Sequence, residues 1–183
     1  MASPEHNSAP QVYFTGSCAC SRITYACTQL PTATQACHCV TCRKVSGGPY
    51  QAFADVQAAS VTYHDHTSDL QFVGLPESDT GGLTILRLSG VAERAFCASC
   101  HSALAFRYPH KSRLSGGMGV TMGSIDEESL VSSEVREALR LRAHIFVSQK
   151  ACWVEVAGDG VEVFERFSGG FEKDLREATG KTL

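Results

Sequence analysis

The sequence predicts an all-β or nearly all-β fold, and three features of the 183-residue chain support this prediction. Short runs rich in Val, Ile, Thr, Tyr and Phe follow one another through its interior. Glycine pairs at positions 47–48, 81–82 and 116–117, with two further glycines around Asp159, separate these runs as turns. One stretch, residues 126–142, instead has the spacing of an amphipathic helix, with Val131, Val135 and Leu139 at four-residue intervals.

The predicted strands follow the apolar runs. In chain order they cover residues 11–15, 22–27, 50–56, 70–73, 83–88, 91–96, 103–106, 143–147, 152–156 and 161–167. A helical turn is predicted over residues 39–46, and the helix over residues 126–142 is expected to cover one side of the sheet. The predicted fold is therefore mainly β, with one added amphipathic helix.

The domain organisation is predicted to be simple. A chain of this length can bury a substantial core as one domain, and no repeat, linker or low-complexity block divides its interior. We expect a disordered N-terminal tail over residues 1–10, a single domain over residues 11–167, and a C-terminal tail over residues 168–183.

The charge pattern argues against two classes of partner. The chain has 16 basic and 19 acidic residues, a formal net charge of -3 and no basic run, so nucleic acid is not an expected partner. The first residues lack the pattern of a secretion signal, and no segment approaches a membrane-spanning length. We therefore expect a cytoplasmic protein without a membrane partner.

The cysteines are the strongest functional signal. The chain has nine, an odd number, and most of them are clustered at one- and two-residue spacings. With no secretion signal, such clusters indicate metal sites and not disulfides. The clusters are Cys18-Ala19-Cys20, Cys37-His38-Cys39-Val40-Thr41-Cys42 and Cys97-Ala98-Ser99-Cys100.

These clusters predict two different zinc sites per chain. The first and last clusters together offer four thiolates, which close a tetrahedral zinc shell and give a structural site. The middle cluster (Cys37, Cys39 and Cys42) offers three, so a zinc held there keeps a position for water or a substrate thiol. This second site is the candidate catalytic and labile one.

Two cations follow the middle cluster directly. Arg43 and Lys44 are candidates for offsetting the negative charge of a thiolate-rich zinc site and for binding the carboxylates of a glutathione-like ligand. We carry Arg43 as a candidate catalytic residue as well. The alternative is that both are solvated surface charges.

Other single residues receive plainer interpretations. Cys27 and Cys152 are expected to be buried as small hydrophobic residues, although Cys152 could also be a fourth ligand or a reactive thiol. His38 lies between two ligands, so its ring is expected to point away from the metal. Trp153 is expected to pack in the core like Phe53, with contact to a bound ligand as the alternative.

An ordered set of motifs resembles a known family, the glutathione-dependent formaldehyde-activating enzymes, and covers most of the chain. The matching residues are Gly16-Ser17-Cys18-Ala19-Cys20 with Ile23 and Tyr25, Cys37-His38-Cys39-Val40-Thr41-Cys42-Arg43-Lys44 with Gly47, Phe96-Cys97-Ala98-Ser99-Cys100 with Leu104 and Phe106, Gly123-Ser124-Ile125-Asp126, His144-Ile145-Phe146-Val147, and Lys150-Ala151-Cys152-Trp153.

The resemblance implies an Mss4-like zinc-binding β-tent of short antiparallel strands. It also implies a structural zinc on the first and last clusters, a catalytic zinc on the middle one, and carbon–sulfur chemistry on thiol adducts such as that of glutathione with formaldehyde. Three positions depart from the family pattern. Ser21 and His101 replace glycines at which a positive φ is convenient, and Cys152 replaces a proline.

We therefore predict a zinc-dependent carbon–sulfur lyase or synthase that acts on a small-molecule thiol or its adduct with an aldehyde or another small electrophile. Glutathione is the expected co-substrate. One alternative is a zinc Lewis-acid lyase, cyclase or isomerase of a small-molecule pathway. Another is a non-catalytic Mss4-like binding module with two structural zincs. The sequence leaves open whether the protein forms a homodimer.

Overall fold

The computed structural model describes residues 10–108, 116–156, 158–167 and 170–179, so all but the last residue of the predicted N-terminal tail lies outside it. The helices in this part of the chain are α1 (Val40–Ser46), α2 (Ser133–Ala138) and α3 (Phe171–Thr179). The strands are β1 (Phe14–Ser17), β2 (Ile23–Cys27), β3 (Ala33–Cys37), β4 (Gln51–Gln57), β5 (Val61–Asp65), β6 (Leu70–Val73), β7 (Leu83–Leu86), β8 (Glu93–Cys97), β9 (Ala103–Arg107), β10 (Gly117–Thr121), β11 (Ala143–Ile145) and β12 (Glu162–Val163). The mainly β fold is confirmed.

The strands form two sheets. The smaller has the order β1-β2-β5-β6, and the larger has the order β12-β11-β3-β4-β10-β9-β8-β7. Pairing is antiparallel except at β11, which runs parallel to both β3 and β12. The larger sheet thus departs from antiparallel pairing only at this end of its described part, where the chain returns to β3 from a distant segment.

The two faces of the larger sheet carry different side chains, because successive residues of a strand point to opposite faces. On β4, Ala54 and Val56 belong to the main core, which also contains Ile23 and Tyr63 of the smaller sheet. The alternate positions of the larger sheet form a second cluster that includes Cys37, Phe53, Phe106 and Ile145. One face thus closes the core, and the other carries the middle cysteine cluster.

Phe106 lies against the backbone of the neighbouring strand at Gly119. The two residues pair across β9 and β10, and a Cβ atom at position 119 would lie only 2.1 Å from the Phe106 ring. The same ring packs edge-on against Phe53, with 4.4 Å between centroids. Glycine is needed at this position because any side chain would displace a ring of the second cluster.

Arg22 forms an ion pair with Asp65 of β5 and a hydrogen bond that joins the smaller sheet to the loop after β8. The Arg22 guanidinium donates to both carboxylate oxygens of Asp65, at 2.9 and 3.2 Å, and to the hydroxyl of Ser99 at 2.9 Å. The Asp65 side chain is fully buried. Hydrogen bonds from Arg22 lower the pKa of Asp65 well below its usual range, with further help from the Ser68 hydroxyl and the Thr67 amide.

The long helix predicted over residues 126–142 is wrong, because only α2 and a short 3-10 turn form there. The Ser129 hydroxyl accepts a hydrogen bond from the amide of Thr15 in β1, and Leu130 leaves the helical region with ψ near 62°. Ser132 then caps α2 at its amino end. Beyond α2, the Thr34 hydroxyl donates to the carbonyl of Arg140 and draws the chain toward β11.

Several strand predictions also differ from the structure. The strands β3, β5 and β10 were not predicted, because they contain polar residues or, in β10, glycines that resemble a turn. The strand predicted over residues 152–156 is wrong. Cys152 and Trp153 instead lie in a turn, and residues 146–148 form the backbone hydrogen bonds with residues 164–166.

Part of the predicted C-terminal tail forms a helix. Helix α3 buries Leu175 completely, and the Phe171 ring lies 5.2 Å from that of Tyr108 and 5.5 Å from that of Phe167, centroid to centroid. The helix thus packs beside the second cluster. None of the helices in the described ranges has the length and apolar composition that crossing a bilayer requires.

The first prediction concerns Gly119. Replacing it with alanine should lower the free energy of unfolding by about 1–3 kcal/mol, because the added methyl group forces the Phe106 ring out of its position. Urea denaturation measures this change. Gly123→Ala is the matched control, since a Cβ atom added at position 123 would meet no neighbouring atom within 4 Å. Equal losses in the two variants would contradict the assigned role of Gly119.

The second prediction concerns acid stability. A carboxylate whose pKa is lowered by folding stabilises the protein above its unfolded pKa of about 3.9, and this contribution disappears as the pH falls. The gap in melting temperature between wild type and Asp65→Asn should therefore be wide at pH 7 and shrink as the pH falls below about 5. Thiol protonation acts on both proteins, so the gap isolates Asp65. A gap that stays constant down to pH 3 would rule out this ion-pair contribution.

Candidate metal centres and the adjoining cavity

The first and last cysteine clusters meet at one point. The sulfurs of Cys18, Cys20, Cys97 and Cys100 all lie within 4.8 Å of one another. The Cys18–Cys20 and Cys20–Cys97 sulfur distances are 3.5 and 3.8 Å. Four sulfurs around a zinc ion with bonds of about 2.3 Å would stand about 3.8 Å apart. The group has the composition and spacing of a closed tetrahedral metal site.

Two similar turns position these sulfurs. In the first, the Ser21 amide donates to the Cys18 carbonyl and the Ile23 amide to the Cys18 sulfur, at 2.9 and 3.2 Å. In the second, the His101 amide donates to the Cys97 carbonyl at 3.0 Å. Ser21 and His101 have φ values of 57° and 61°, so the predicted backbone role of both residues is confirmed.

The middle cluster gathers around the start of α1. Cys37 ends β3, Cys39 is the residue that caps the helix, and Cys42 lies in its first turn, where its amide donates to the Cys39 sulfur at 3.4 Å. The three sulfurs lie within 4.8 Å of one another. Among the residues that the structure describes, no fourth cysteine, histidine or carboxylate joins them. The cluster is thus an incomplete tetrahedron of protein ligands.

The three ionisable thiols of the middle cluster lie close together and are largely buried. Hydrogen bonds from the Cys37 and Cys42 thiols lower the pKa of Cys39. The shared hydrogen bonds with Cys39 and Cys42, together with burial, raise the pKa of Cys37 far above the ordinary value. Three thiolates at this separation would repel one another unless a cation lay between them. The donor set therefore suits a thiophilic metal ion such as zinc.

A buried cation contacts this cluster, and it is not one of the predicted ones. Arg94, on β8, is only 6% exposed, and its Nη2 donates to the Cys42 sulfur at 3.2 Å. Its Nε and Nη1 atoms are buried, and neither has a hydrogen-bond partner among the described residues. The sequence signal for this residue is an arginine inside the apolar run at residues 91–96.

A cavity of about 260 Å³ opens beside the middle cluster. The three cysteines and Arg94 line it, and aromatic rings from several elements form its walls. Phe146 is one of these rings, and its backbone adopts a left-handed conformation with φ near 58°. Such a conformation costs a non-glycine residue roughly 1–2 kcal/mol, so the surrounding contacts must hold it in place. One is an edge-on contact with Phe167 at a centroid distance of 4.6 Å.

The predicted ligand-binding residues outside the cysteines lie elsewhere. Arg43 is half-buried and Lys44 is exposed, and neither lines the cavity. Trp153 is 70% exposed, so its predicted place in the core is wrong, and it does not line the cavity either. Cys152 is exposed in a turn, which contradicts its expected burial, whereas the expected burial of Cys27 is confirmed.

His38 points away from the middle cluster, as the sequence predicts. Its ring is fully buried, and its Nε2 lies 2.9 Å from Nδ1 of His144, whose Nε2 lies 2.9 Å from a carboxylate oxygen of Asp159. The His38 amide also donates to the Ile145 carbonyl at 2.9 Å. These contacts fix the segment between two cysteines to β11 and to the turn before β12.

A match to a known protein family covers both cysteine groups. The sequence pattern described as glutathione-dependent formaldehyde-activating enzyme matches residues 13–149, which include all seven clustered cysteines. No curated protein matches the chain. A crystal structure of a Rhodobacter sphaeroides protein is similar at 15% identity, covering 64% of this chain and 95% of its own, with a TM-score of 0.43. The extent of the family match, over most of the described domain, shows that the chain belongs to the glutathione-dependent formaldehyde-activating enzyme family.

Proposed function

We propose that the protein is a zinc-dependent enzyme that forms or cleaves a carbon–sulfur bond between a thiol and an aldehyde or another small electrophile. One observation carries the proposal: three cysteine sulfurs with an incomplete ligand set lie beside an apolar cavity, next to a buried arginine. The family description names glutathione and formaldehyde, and we carry both to this chain as proposed substrates.

The two cysteine groups receive different roles in this proposal. Cys18, Cys20, Cys97 and Cys100 would hold a structural zinc, since their sulfurs complete the shell by themselves. Cys37, Cys39 and Cys42 would hold the second ion and leave one position open toward the cavity. When bound there, zinc would act as a Lewis acid that lowers the pKa of a substrate thiol and stabilises sulfur as a leaving group.

Arg94 supplies the cation that the sequence assigned to Arg43. Three thiolates exceed the charge of a divalent ion by one, and a substrate thiolate adds another negative charge at the same place. A buried guanidinium 3.2 Å from the Cys42 sulfur offsets this excess directly, because water screens it little, whereas the half-buried Arg43 side chain does not line the cavity. Arg94 therefore favours the ionised form of a thiol that enters the cavity.

The proposed reaction needs few further groups from the protein. When a thiol adds to an aldehyde, a sulfur–carbon bond forms, the carbonyl π bond breaks, and the thiol proton is transferred to the former carbonyl oxygen. Cleavage of the adduct reverses each of these changes. A cavity of about 260 Å³ with aromatic walls suits a small electrophile.

The third prediction separates the two cysteine groups. Structural zinc supplies on the order of 10 kcal/mol of binding free energy that is coupled to folding, so Cys97→Ser should give insoluble or easily melted protein. Cys39→Ser should fold with a melting temperature close to that of wild type and with one zinc per chain in place of two. Elemental analysis and thermal unfolding measure both effects. Equal thermal damage from the two substitutions would contradict the assigned roles.

The fourth prediction concerns the cation at the middle cluster. In cobalt-substituted protein, Arg94→Gln should weaken glutathione binding about 10- to 100-fold, as expected for the loss of a charge-assisted hydrogen bond. Arg43→Ala should bind with nearly wild-type affinity, because the Arg43 side chain does not line the cavity. Titration of the cobalt absorption bands with glutathione measures these affinities.

Arg140→Gln provides the control for a lost positive charge, since this exposed side chain pairs with Glu137 on α2. A larger loss from Arg43→Ala than from Arg94→Gln would return the role to Arg43. A spectrum that no thiol changes in any of these proteins would contradict the proposed thiol chemistry and favour the Lewis-acid alternative.

A further inference from the structure

The backbone around Cys39 is held on both sides by β11 and the turn that follows it. The His38 amide donates to the Ile145 carbonyl at 2.9 Å. The Val40 amide donates to the side-chain oxygen of Gln149 at 3.1 Å. Cys39, between them, caps α1 and supplies one of the three sulfurs of the middle cluster. The position of this sulfur therefore depends on contacts with a segment that is distant in sequence.

A chain of polar contacts extends from His38 to the protein surface. The His38 ring is fully buried, and its Nε2 lies 2.9 Å from Nδ1 of His144. The His144 ring is also buried, and its Nε2 lies 2.9 Å from one oxygen of the Asp159 carboxylate. The Asp159 side chain is 48% exposed. The chain thus joins a residue between two metal-binding cysteines to a carboxylate at the surface.

The Asp159 carboxylate fixes the direction of the outer hydrogen bond in this chain. An ionised carboxylate only accepts hydrogen bonds, so Nε2 of His144 is the donor. The other Asp159 oxygen accepts from the Val161 amide at 3.0 Å, which holds the carboxylate in the turn before β12. With Nε2 of His144 bonded to Asp159, its Nδ1 faces His38, and one proton lies between the two rings. Asp159 thereby sets the orientation of both imidazoles.

Loss of the carboxylate acceptor would leave a buried donor on His144 without a partner. Such a donor is costly, so the ring would turn toward another acceptor. The rings of His38, His144 and Tyr50 lie 5.1–6.2 Å apart, centroid to centroid, so a turn of one ring displaces the next. Displacement of His38 moves its neighbours Cys37 and Cys39. Zinc–sulfur bonds of about 2.3 Å leave little room for such a movement.

We propose that Asp159 is a positioning residue for the middle cluster, and that it acts through His144 and His38 to set how tightly this cluster holds its metal ion. The inference rests on the proposed zinc site and deepens it, because it names residues outside the ligand set that control the occupancy of the labile position. The closed group of four does not share this control, since the turns at Ser21 and His101 position its sulfurs.

The test measures zinc affinity by chelator competition on the full-length protein. In Asp159→Asn, the remaining side-chain oxygen still accepts from the Val161 amide, whereas the new NH2 group cannot accept from His144. The middle cluster should bind zinc about tenfold more weakly than in wild type, as is typical when a hydrogen bond outside the ligand set is lost. The absorption bands of cobalt bound at this cluster should shift as well.

The closed group of four is measured separately in a Cys39→Ser background, which is expected to hold only the structural zinc. Adding Asp159→Asn to this background should leave the zinc content and the melting temperature unchanged. That result also shows that the Asp159→Asn substitution does not impair folding.

Asp69→Asn is the matched control, because Asp69 Oδ1 and His64 Nε2 form a carboxylate–histidine contact of the same length, 2.9 Å, at the hairpin of β5 and β6. This variant should bind zinc like wild type. Equal affinity of the middle cluster in wild type and Asp159→Asn overturns the inference, and so does an equal loss at both metal sites. If wild type holds only the structural zinc, the proposed second metal site itself fails, and the two failures are thereby distinguished.

Discussion

The structure depends on how the electrostatic repulsion among clustered cysteine thiolates is offset. Seven cysteine sulfurs gather at two points, and most of them are buried or half-buried. A closed group of four needs only a metal ion, and backbone amides that donate to Cys18 and Cys97 add further compensation. A group of three next to a cavity needs more, because an entering thiolate increases its negative charge. Arg94 meets this need from β8, a strand that contributes no ligand to this cluster.

The larger sheet places these charged groups beside two neighbouring cavities. Because side chains alternate along each strand, β3 and β4 carry Cys37, Gln35 and Asp55 on one face while Ala54 closes the core on the other. The packing of the Phe106 ring over the bare backbone of Gly119 forms a wall that both cavities share.

Much of the metal chemistry could be predicted from the sequence, because ligand spacing within a knuckle is a local property. The two cysteine groups and the turns at Ser21 and His101 are of this kind. Arg94 could not be found in that way, since its contact with Cys42 arises from pairing between strands that are distant in sequence. The helix predicted over residues 126–142 failed for a related reason: contacts with β1 and β3 interrupt it, and periodicity within one segment does not report such contacts.

The central claim is that one metal site is closed by protein sulfur and the other is open to a thiol. X-ray absorption at the zinc edge of fully loaded protein tests this claim most directly, because it counts sulfur neighbours at about 2.3 Å. We expect an average of about 3.5 sulfur ligands per zinc in the resting protein, and an average of about 4 after glutathione is added. An average of four before addition, or no change after it, would contradict the account.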